Sequence, residues 1–564
     1  MLRWCGVSRA AARGPHGWEA RSMSSADASL RQWWELVEWR AAATPDLPML
    51  VDNHERRISF GEFRELALRV AAGLHATGVR AGTQVSWQLP TTIESAVLMS
   101  ALSRLGAVQN PIIPLLREAE VDFIVEQLGT TLLIVPAVFR GYDYRPMADT
   151  IAARRGLRTM VCDPYLPPDP ATARLTGPPV DTDWFADFPL PLGDPSSLPP
   201  PPPQPTGDAD ADVRWVFYSS GTTGFPKGAR HTDASVIAGS NSMVSQLGFD
   251  ETDVASIAFP IAHIGGSSVL SLGLRSACKV VLVDIFDPRT APLALARHGS
   301  TMLGSAAPHF HAYLNAQAAH GRERLFPRLR FFMAGGAPSE PGMHDRAIAE
   351  LGGDGLMNGW GLTEFPMAGY PSPGDPPERL RTAAGRPGPG VRISVRDTDG
   401  AEVPRGQEGE LCIAGPQLFT GYVDASLDAE AFTPDGYFHT GDLGIHDPEG
   451  WLYITGRLKD VIVRNAENIS ALEVENVLLT HPGVAEVAVV GLPDPRTGER
   501  CAAFVVPAEG AGALTLPDLA AFCREKGLAV YKTPERLEIL DAIPRNAMGK
   551  ALKKQLRESV TATA

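Results

Sequence analysis

The sequence predicts an α/β fold, on three observations. Helical and strand periodicities alternate from about Leu30 onward, one strand runs directly into a glycine-rich loop, and the pattern changes to a compact unit after Lys459. In chain order, Ser59-Phe60-Gly61-Glu62 opens an amphipathic helix with apolar positions at Leu66, Val70, Ala71 and Leu74. Val85 to Leu89 reads as a strand ending at Pro90, and such alternation suggests largely parallel sheets. The stretch 163–212 is rich in proline and acids and includes five consecutive prolines, Pro199 to Pro203. It predicts an extended surface excursion rather than core. Val213 to Tyr218 is the strand that enters the loop Ser219–Gly228, and Trp451 to Thr455 forms part of a short hairpin. Beyond Lys459 the pattern gives a helix from Leu472 to Leu479, strands Val484–Val490 and Ala502–Val506, and a helix from Leu516 to Lys526. A span of about 100 residues suffices for a small α+β domain.

Composition excludes several classes. A formal net charge of −14 argues against broad nucleic-acid binding. No apolar run approaches the roughly 20 residues of a membrane-spanning helix; Val280 to Phe286, broken by Asp284, reads as a buried strand. The six cysteines (5, 162, 278, 412, 501 and 523) are widely spaced, which suits a reducing compartment and neither a zinc site nor a disulfide scaffold. Residues 1–28 are expected to form a disordered or targeting-like tail. Arg3, Arg9, Arg13 and Arg21 stand there against Glu19, the composition of a mitochondrial transit peptide, an unstructured tail, or a chain starting at Met23. A cytoplasmic protein is expected, with the mitochondrial matrix as the alternative if residues 1–25 are a transit peptide.

Only 8 of the 51 basic residues are lysines, and Lys227, Lys459 and Lys550 fall inside motifs. Ser219-Ser220-Gly221-Thr222-Thr223-Gly224-Phe225-Pro226-Lys227-Gly228 has the makings of a phosphate loop. Glycines let backbone N–H groups approach phosphate oxygens, hydroxyls add donors, and Lys227 adds a point charge. It is not a Walker A loop, because Pro226 precedes the lysine and Gly228 follows it.

The run YSSGTTGFPKG resembles the signature of the adenylate-forming superfamily, which includes acyl-CoA synthetases, peptide-synthetase adenylation domains and luciferases. The resemblance continues in order through PIAHIGG (260–266), AGGAP (334–338), NGWGLTE (358–364), GELCIAGPQLFTGY (409–422), YFHTGDLG (437–444), ITGRLKDVIV (454–463) and PRNAMGK (544–550). It implies a large N-terminal domain of packed α/β subdomains, 29–456, a small mobile α+β C-terminal lid, 459–564, and an active site between them. It also implies a two-step reaction. A carboxylate attacks the α-phosphate of Mg-ATP to give acyl-AMP and pyrophosphate, and a thiol then attacks the acyl carbon. Two anions must meet, so cations and Mg²⁺ must screen them.

The resemblance also implies roles. Lys550 is the catalytic lysine of the lid, Glu364 a Mg²⁺ ligand with Thr222, and Thr363 a phosphate-contacting hydroxyl. Ser219, Ser220, Gly221, Thr222, Thr223, Gly224 and Lys227 hold phosphates. Trp360 stacks on adenine, with Gly336, Ala337, Pro338 and Asn358 in the nucleotide site. Asp442 takes the ribose hydroxyls and Arg457 lies near ribose or phosphate. Lys459 is the hinge of the lid, and His263 borders the acyl and pantetheine channels. Taken singly, Thr363-Glu364 reads as a helix N-terminus, Trp360 as core and His263 as structural. One departure is Ala466, where family members commonly carry a glycine that lets pantetheine pass.

Gly361 occupies the place of a bulky tryptophan in acetate-specific members, which implies an open acyl pocket. The segments Asn110–Ile124 and Val283–Gly304 look like those of bacterial medium-chain acyl-CoA and alicyclic carboxylate–CoA ligases. The expected partners are therefore a medium-chain fatty or alicyclic acid, ATP and CoA, with Mg²⁺ as cofactor and a homodimer left open. The alternatives are an acyl-AMP ligase loading a separate carrier protein, and a non-catalytic acyl or nucleotide binder.

Overall fold

The computed structural model describes residues 30–164, 188–208, 210–219, 226–335, 339–465, 467–546 and 549–561. The tail expected over residues 1–28 lies outside them. The local rules read from sequence hold at the helix Phe60–Ala76. Ser59 Oγ accepts the Glu62 N–H at 3.2 Å, and the Glu62 carboxylate accepts the Ser59 N–H at 2.8 Å.

Two large sheets dominate the N-terminal part. One has six strands in the order Lys227–Thr232, Val213–Ser219, Val108–Pro111, Gln84–Trp87, Leu132–Val135 and Arg158–Val161. All pairs in it are parallel except the first, which is an antiparallel hairpin. The other sheet has four strands, ordered Val254–Ile257, Lys279–Leu282, Pro48–Asp52 and Arg57–Ser59. The main core joins Val85, Trp87, Trp215 and Phe217 of the first sheet to Met49, Leu50, Val280 and Leu282 of the second. It does so through the helices Trp33–Ala43, Phe60–Ala76, Ile93–Leu105, Asp233–Leu247 and Ile264–Ser276. Every residue of Ile93–Leu105 and of Ile264–Ser276 is buried, as expected for helices covered on all sides.

Three parallel strands, Met302–Ser305, Phe331–Ala334 and Leu356–Asn358, form a third sheet. A four-stranded antiparallel sheet follows: Arg392–Arg396, Glu408–Ala414, Phe438–His446 and Leu452–Arg457. Parallel pairing is thus confined to part of the molecule. The strand expected over Val280–Phe286 stops at Leu282, because Asp284 turns aside to accept a hydrogen bond from Asn53 Nδ2 at 2.8 Å. The proline-rich stretch also departs from a pure surface excursion. Its described part carries Phe188 and Leu190 into the main core, and Arg104 donates to the Pro199 carbonyl at 2.7 Å.

The smaller C-terminal domain is built on a five-stranded sheet of Glu467–Ser470, Val461–Arg464, Gly498–Pro507, Val484–Asp494 and Arg536–Ile539. Both faces are covered. Val489, Cys501, Ala503 and Val505 pack with Val474, Leu478, Leu519 and Cys523. Val490, Ala502 and Phe504 pack with Leu556 and Val560. Two covered faces explain why the central strands read as near-continuous apolar runs. The five described cysteines are buried and unpaired, and among the described residues no helix is long and apolar enough to cross a membrane.

Candidate active site

Ser220, Gly221, Thr222, Thr223, Gly224, Gly336, Ala337, Pro338 and Ala466 lie outside the described residues. The loop 220–225 joins two antiparallel strands, so Ser219 and Lys227 face each other as cross-strand partners. Lys227 Nζ stands 5.5 Å from the centre of the Tyr422 ring. The Tyr422 hydroxyl donates to Glu364 Oε1 at 2.8 Å. Burial, reinforced by the Glu364 carboxylate, pushes the Tyr422 phenol above its ordinary range, so it stays a donor.

Glu364 is itself buried, at 8 % exposure. It sits in a tight turn closed by Leu362 and Phe365, which exchange backbone hydrogen bonds at 2.9 and 3.2 Å. The Phe419 N–H holds the Glu364 carbonyl at 3.0 Å. Thr363, partly exposed, is fixed through its carbonyl, which lies 2.9 Å from His231 Nε2. His231 is fully buried, its Nδ1 lies 3.0 Å from Ser235 Oγ, and burial pulls its imidazole down to about 4. It is therefore a neutral strut between the strand Lys227–Thr232 and the Thr363–Glu364 turn.

A second group forms around Asp442. Asp442 and Arg457 are cross-strand partners, and Arg457 Nε meets Asp442 Oδ1 at 2.8 Å. The Trp360 indole N–H donates to Asp442 Oδ2 at 2.8 Å. Trp360 is only 7 % exposed and belongs to the core of the antiparallel sheet, so its packing and its hold on Asp442 are joint roles. The turn before Asp442 is set locally. Gly441 adopts φ +68°, which favours glycine, and Thr440 Oγ accepts the Asp442 N–H at 3.0 Å. Asn358, at a strand end, accepts from Ser339 Oγ at 3.0 Å.

Lys550 comes from the C-terminal domain on a closed turn. Asn546 N–H donates to the Lys550 carbonyl at 2.9 Å, the Lys550 N–H donates back to Asn546 Oδ1 at 3.0 Å, and Gly549 supplies φ +78°. This turn lies against the N-terminal domain, because a Cβ at Gly549 would stand 3.7 Å from Ala306 Cβ. Burial pulls the Lys550 ammonium down to about 8; Arg457 and Lys459 act the same way, while Asp442 and Glu364 oppose them. These charges act on Lys550 only because this turn of the C-terminal domain reaches both groups described above. Lys459 occupies the single-turn helix Leu458–Asp460, between the antiparallel sheet and the C-terminal sheet. His263 caps the helix Ile264–Ser276, its Nδ1 accepting the Gly265 N–H at 3.1 Å. Burial, with Lys550 nearby, pulls it down to about 4, so it is neutral.

The expected pocket at Gly361 needs correction. A Cβ built on Gly361 would lie 2.0 Å from the Pro366 carbonyl oxygen and 2.6 Å from its carbon. Its side-chain direction is filled by backbone, so the glycine is required by the turn and does not mark an emptied acyl pocket. Sequence reasoning missed Tyr422 and His231. Tyr422 ends a quoted motif, and His231 stands four residues beyond Lys227, but neither position reveals its distant partner.

The donor set fits a hard divalent cation. Glu364 Oε1 is occupied by Tyr422, and among the described residues no donor engages Oε2, an oxygen of the kind such ions take. Lys550 of the C-terminal domain feels the Glu364 charge, and Lys227 stands over the Tyr422 ring that holds Glu364, so a cation from each domain is at hand for a polyphosphate.

Residues 37–423 match the family model described as AMP-binding enzyme, and 473–550 the AMP-binding enzyme C-terminal domain. The chain is 31 % identical over 544 residues to the medium-chain fatty-acid–CoA ligase of Escherichia coli K12, covering 95 % of this chain and 91 % of that one. It is 32 % identical over 527 residues to the salicyl-AMP ligase / salicyl-S-ArCP synthetase of Mycobacterium tuberculosis H37Rv, covering 91 % and 88 %. The crystal structure of ATP-bound MatB from Rhodopseudomonas palustris superposes with a TM-score of 0.80 at 28 % identity, covering 94 % and 99 %. Taken with the site geometry, these matches mean that the chain belongs to the AMP-binding enzyme family and is an adenylate-forming ligase.

Proposed function

We propose that this protein activates a medium-chain fatty or alicyclic carboxylic acid as its acyl-adenylate and transfers the acyl group to CoA. The observation that carries the first step is the seat of the Lys550 turn against Ala306 of the N-terminal domain, which brings the amine into the fields of Glu364, Asp442, Arg457 and His263. A carboxylate oxygen attacks the α-phosphorus, the bond to the β-phosphate oxygen breaks, and pyrophosphate leaves. Lys550 faces the charge that builds between carboxylate and α-phosphate. Lys227 neutralises the departing phosphates, and Asp442, held by Trp360 and Arg457, receives the ribose hydroxyls. Thr222 joins Glu364 as a cation ligand, and a bound Mg²⁺ supplies further neutralisation of phosphate charge. Thr363 contacts phosphate, and Trp360, Asn358 and the segment Gly336–Pro338 form the nucleotide site.

In the second step the thiol attacks the acyl carbon and AMP leaves. The lid turns about Lys459 to admit the thiol, and neutral His263 borders its path. CoA as acceptor is supported by the E. coli relative, whose name gives a CoA ligase. A carrier protein is the second reading, supported by the salicyl-AMP ligase relative. A panel of acids, assayed for AMP and thioester formation with and without CoA, tests both. CoA-dependent AMP release with acyl-CoA as product is expected for acids of medium length. Adenylate that accumulates and never transfers to CoA would favour the carrier protein.

A further inference from the structure

Apart from the proposed nucleotide site, the antiparallel sheet carries a second group of chemically able side chains: Glu410, Cys412 and His439. Their ligand atoms all lie within 4.8 Å of one another. Cys412 and His439 are direct cross-strand partners, and Glu410 is two residues before Cys412 on the same strand. The register shifts between Glu410 and Cys412, so the carboxylate also swings to the imidazole. His439 Nδ1 is 2.8 Å from Glu410 Oε2 and 3.6 Å from Cys412 Sγ. An ion pair would need only the first two groups. The thiol adds a third donor of different softness at the same ring nitrogen.

We propose that, against the expectation from cysteine spacing, Glu410, Cys412 and His439 form a binding site for a borderline-soft divalent cation of the zinc class. Such an ion takes bonds of about 2.0–2.3 Å to nitrogen, oxygen and sulfur, which puts tetrahedral ligand atoms about 3.3–3.8 Å apart. The Cys412–His439 separation already has that value, and the Glu410–His439 pair has to open by only about half an ångström. The mixed thiolate, imidazole and carboxylate set selects zinc-class ions over the magnesium expected at Glu364, which takes oxygen ligands. The His439 side chain is 34 % exposed, so the fourth position opens toward solvent on its side. The site also touches the nucleotide-facing turn. Glu410 Oε1 accepts the Gly441 N–H at 3.0 Å, one residue before Asp442.

The test is calorimetric titration of the full chain with Zn²⁺ in the absence of ATP. It is run on the parent, Cys412→Ser, His439→Gln and Glu364→Gln, each checked for folding by circular dichroism. One tight equivalent is expected in the parent and in Glu364→Gln. Loss of a ligand should weaken binding by more than the ~10–100-fold typical of outer-shell changes. Co²⁺ provides a second readout, a thiolate charge-transfer band in the parent that vanishes in Cys412→Ser. Absence of tight binding in the parent, or affinity unchanged from the parent in the Cys412 and His439 variants, would overturn the proposal. A Co²⁺ complex without the thiolate band would overturn it as well.

Discussion

Replacing Tyr422 with phenylalanine removes one hydroxyl and leaves the ring. The ring keeps its packing on Phe419, centroids 4.8 Å apart, and its place 5.5 Å from Lys227 Nζ. No cavity opens, so the change isolates the 2.8 Å hydrogen bond to Glu364 Oε1. A hydrogen bond to a charged group contributes about 1.5–3 kcal/mol. With about 1.4 kcal/mol per factor of ten, that predicts a loss of roughly 10- to 150-fold. The range overlaps the ~10–100-fold seen when partners of metal ligands are removed. The loss should fall on the step that needs Glu364 in a defined orientation. The assay is acid-dependent ATP–pyrophosphate exchange at varied Mg²⁺, with thermal melts to confirm folding. A raised Mg²⁺ requirement and a lowered exchange rate are expected, with the KM for the acid little changed. The phenol stays protonated throughout the working range, so the defect should be the same at every pH tested. If exchange rate and Mg²⁺ half-saturation both stay within about twofold of the parent, Tyr422 does not orient Glu364 and the reasoning fails.

Four further outcomes are expected. Lys550→Ala should lower adenylation at least ~10²-fold, as for one preorganised electrostatic group, while thioester formation from supplied acyl-adenylate persists; equal losses in both half-reactions would remove Lys550 from the first step. Because the Lys550 ammonium in the free enzyme is pulled down to about 8, it is charged below that pH and neutral above it. The kcat/KM for adenylation should therefore fall as pH rises through about 8 and stay flat there in Lys550→Arg; a fall retained in Lys550→Arg would assign the titration to another group. Glu364→Gln should impair Mg-ATP use far more than acid binding, since an amide keeps the shape and loses the charge; unchanged Mg²⁺ dependence would refute a ligand role. Gly361→Ala should cost ~1–3 kcal/mol of stability in denaturant melts, the range for forced overpacking, without shortening the acids accepted. A variant as stable as the parent would show that the Pro366 carbonyl yields easily.

Some of this molecule is set by rules that act within one or two turns of chain. The Ser59–Glu62 capping box and the helix Leu516–Glu525 are readable because all their determinants lie within a few residues. The motif order likewise placed Lys227, Glu364, Asp442, Arg457 and Lys550 among the candidates before any contact was known. The contacts that orient them were not readable. Tyr422 reaches Glu364 across 58 residues of sequence, Trp360 reaches Asp442 across 82, and His231 reaches Thr363 across 132. Gly361 shows the same limit from the other side. A glycine in sequence records only that a side chain is missing, and the fold alone decides that the vacated direction belongs to the Pro366 backbone. The cause is physical: periodicity and capping are short-range, whereas donor–acceptor pairing between separate strands and turns exists only once the sheets have packed and brought them within about 3 Å.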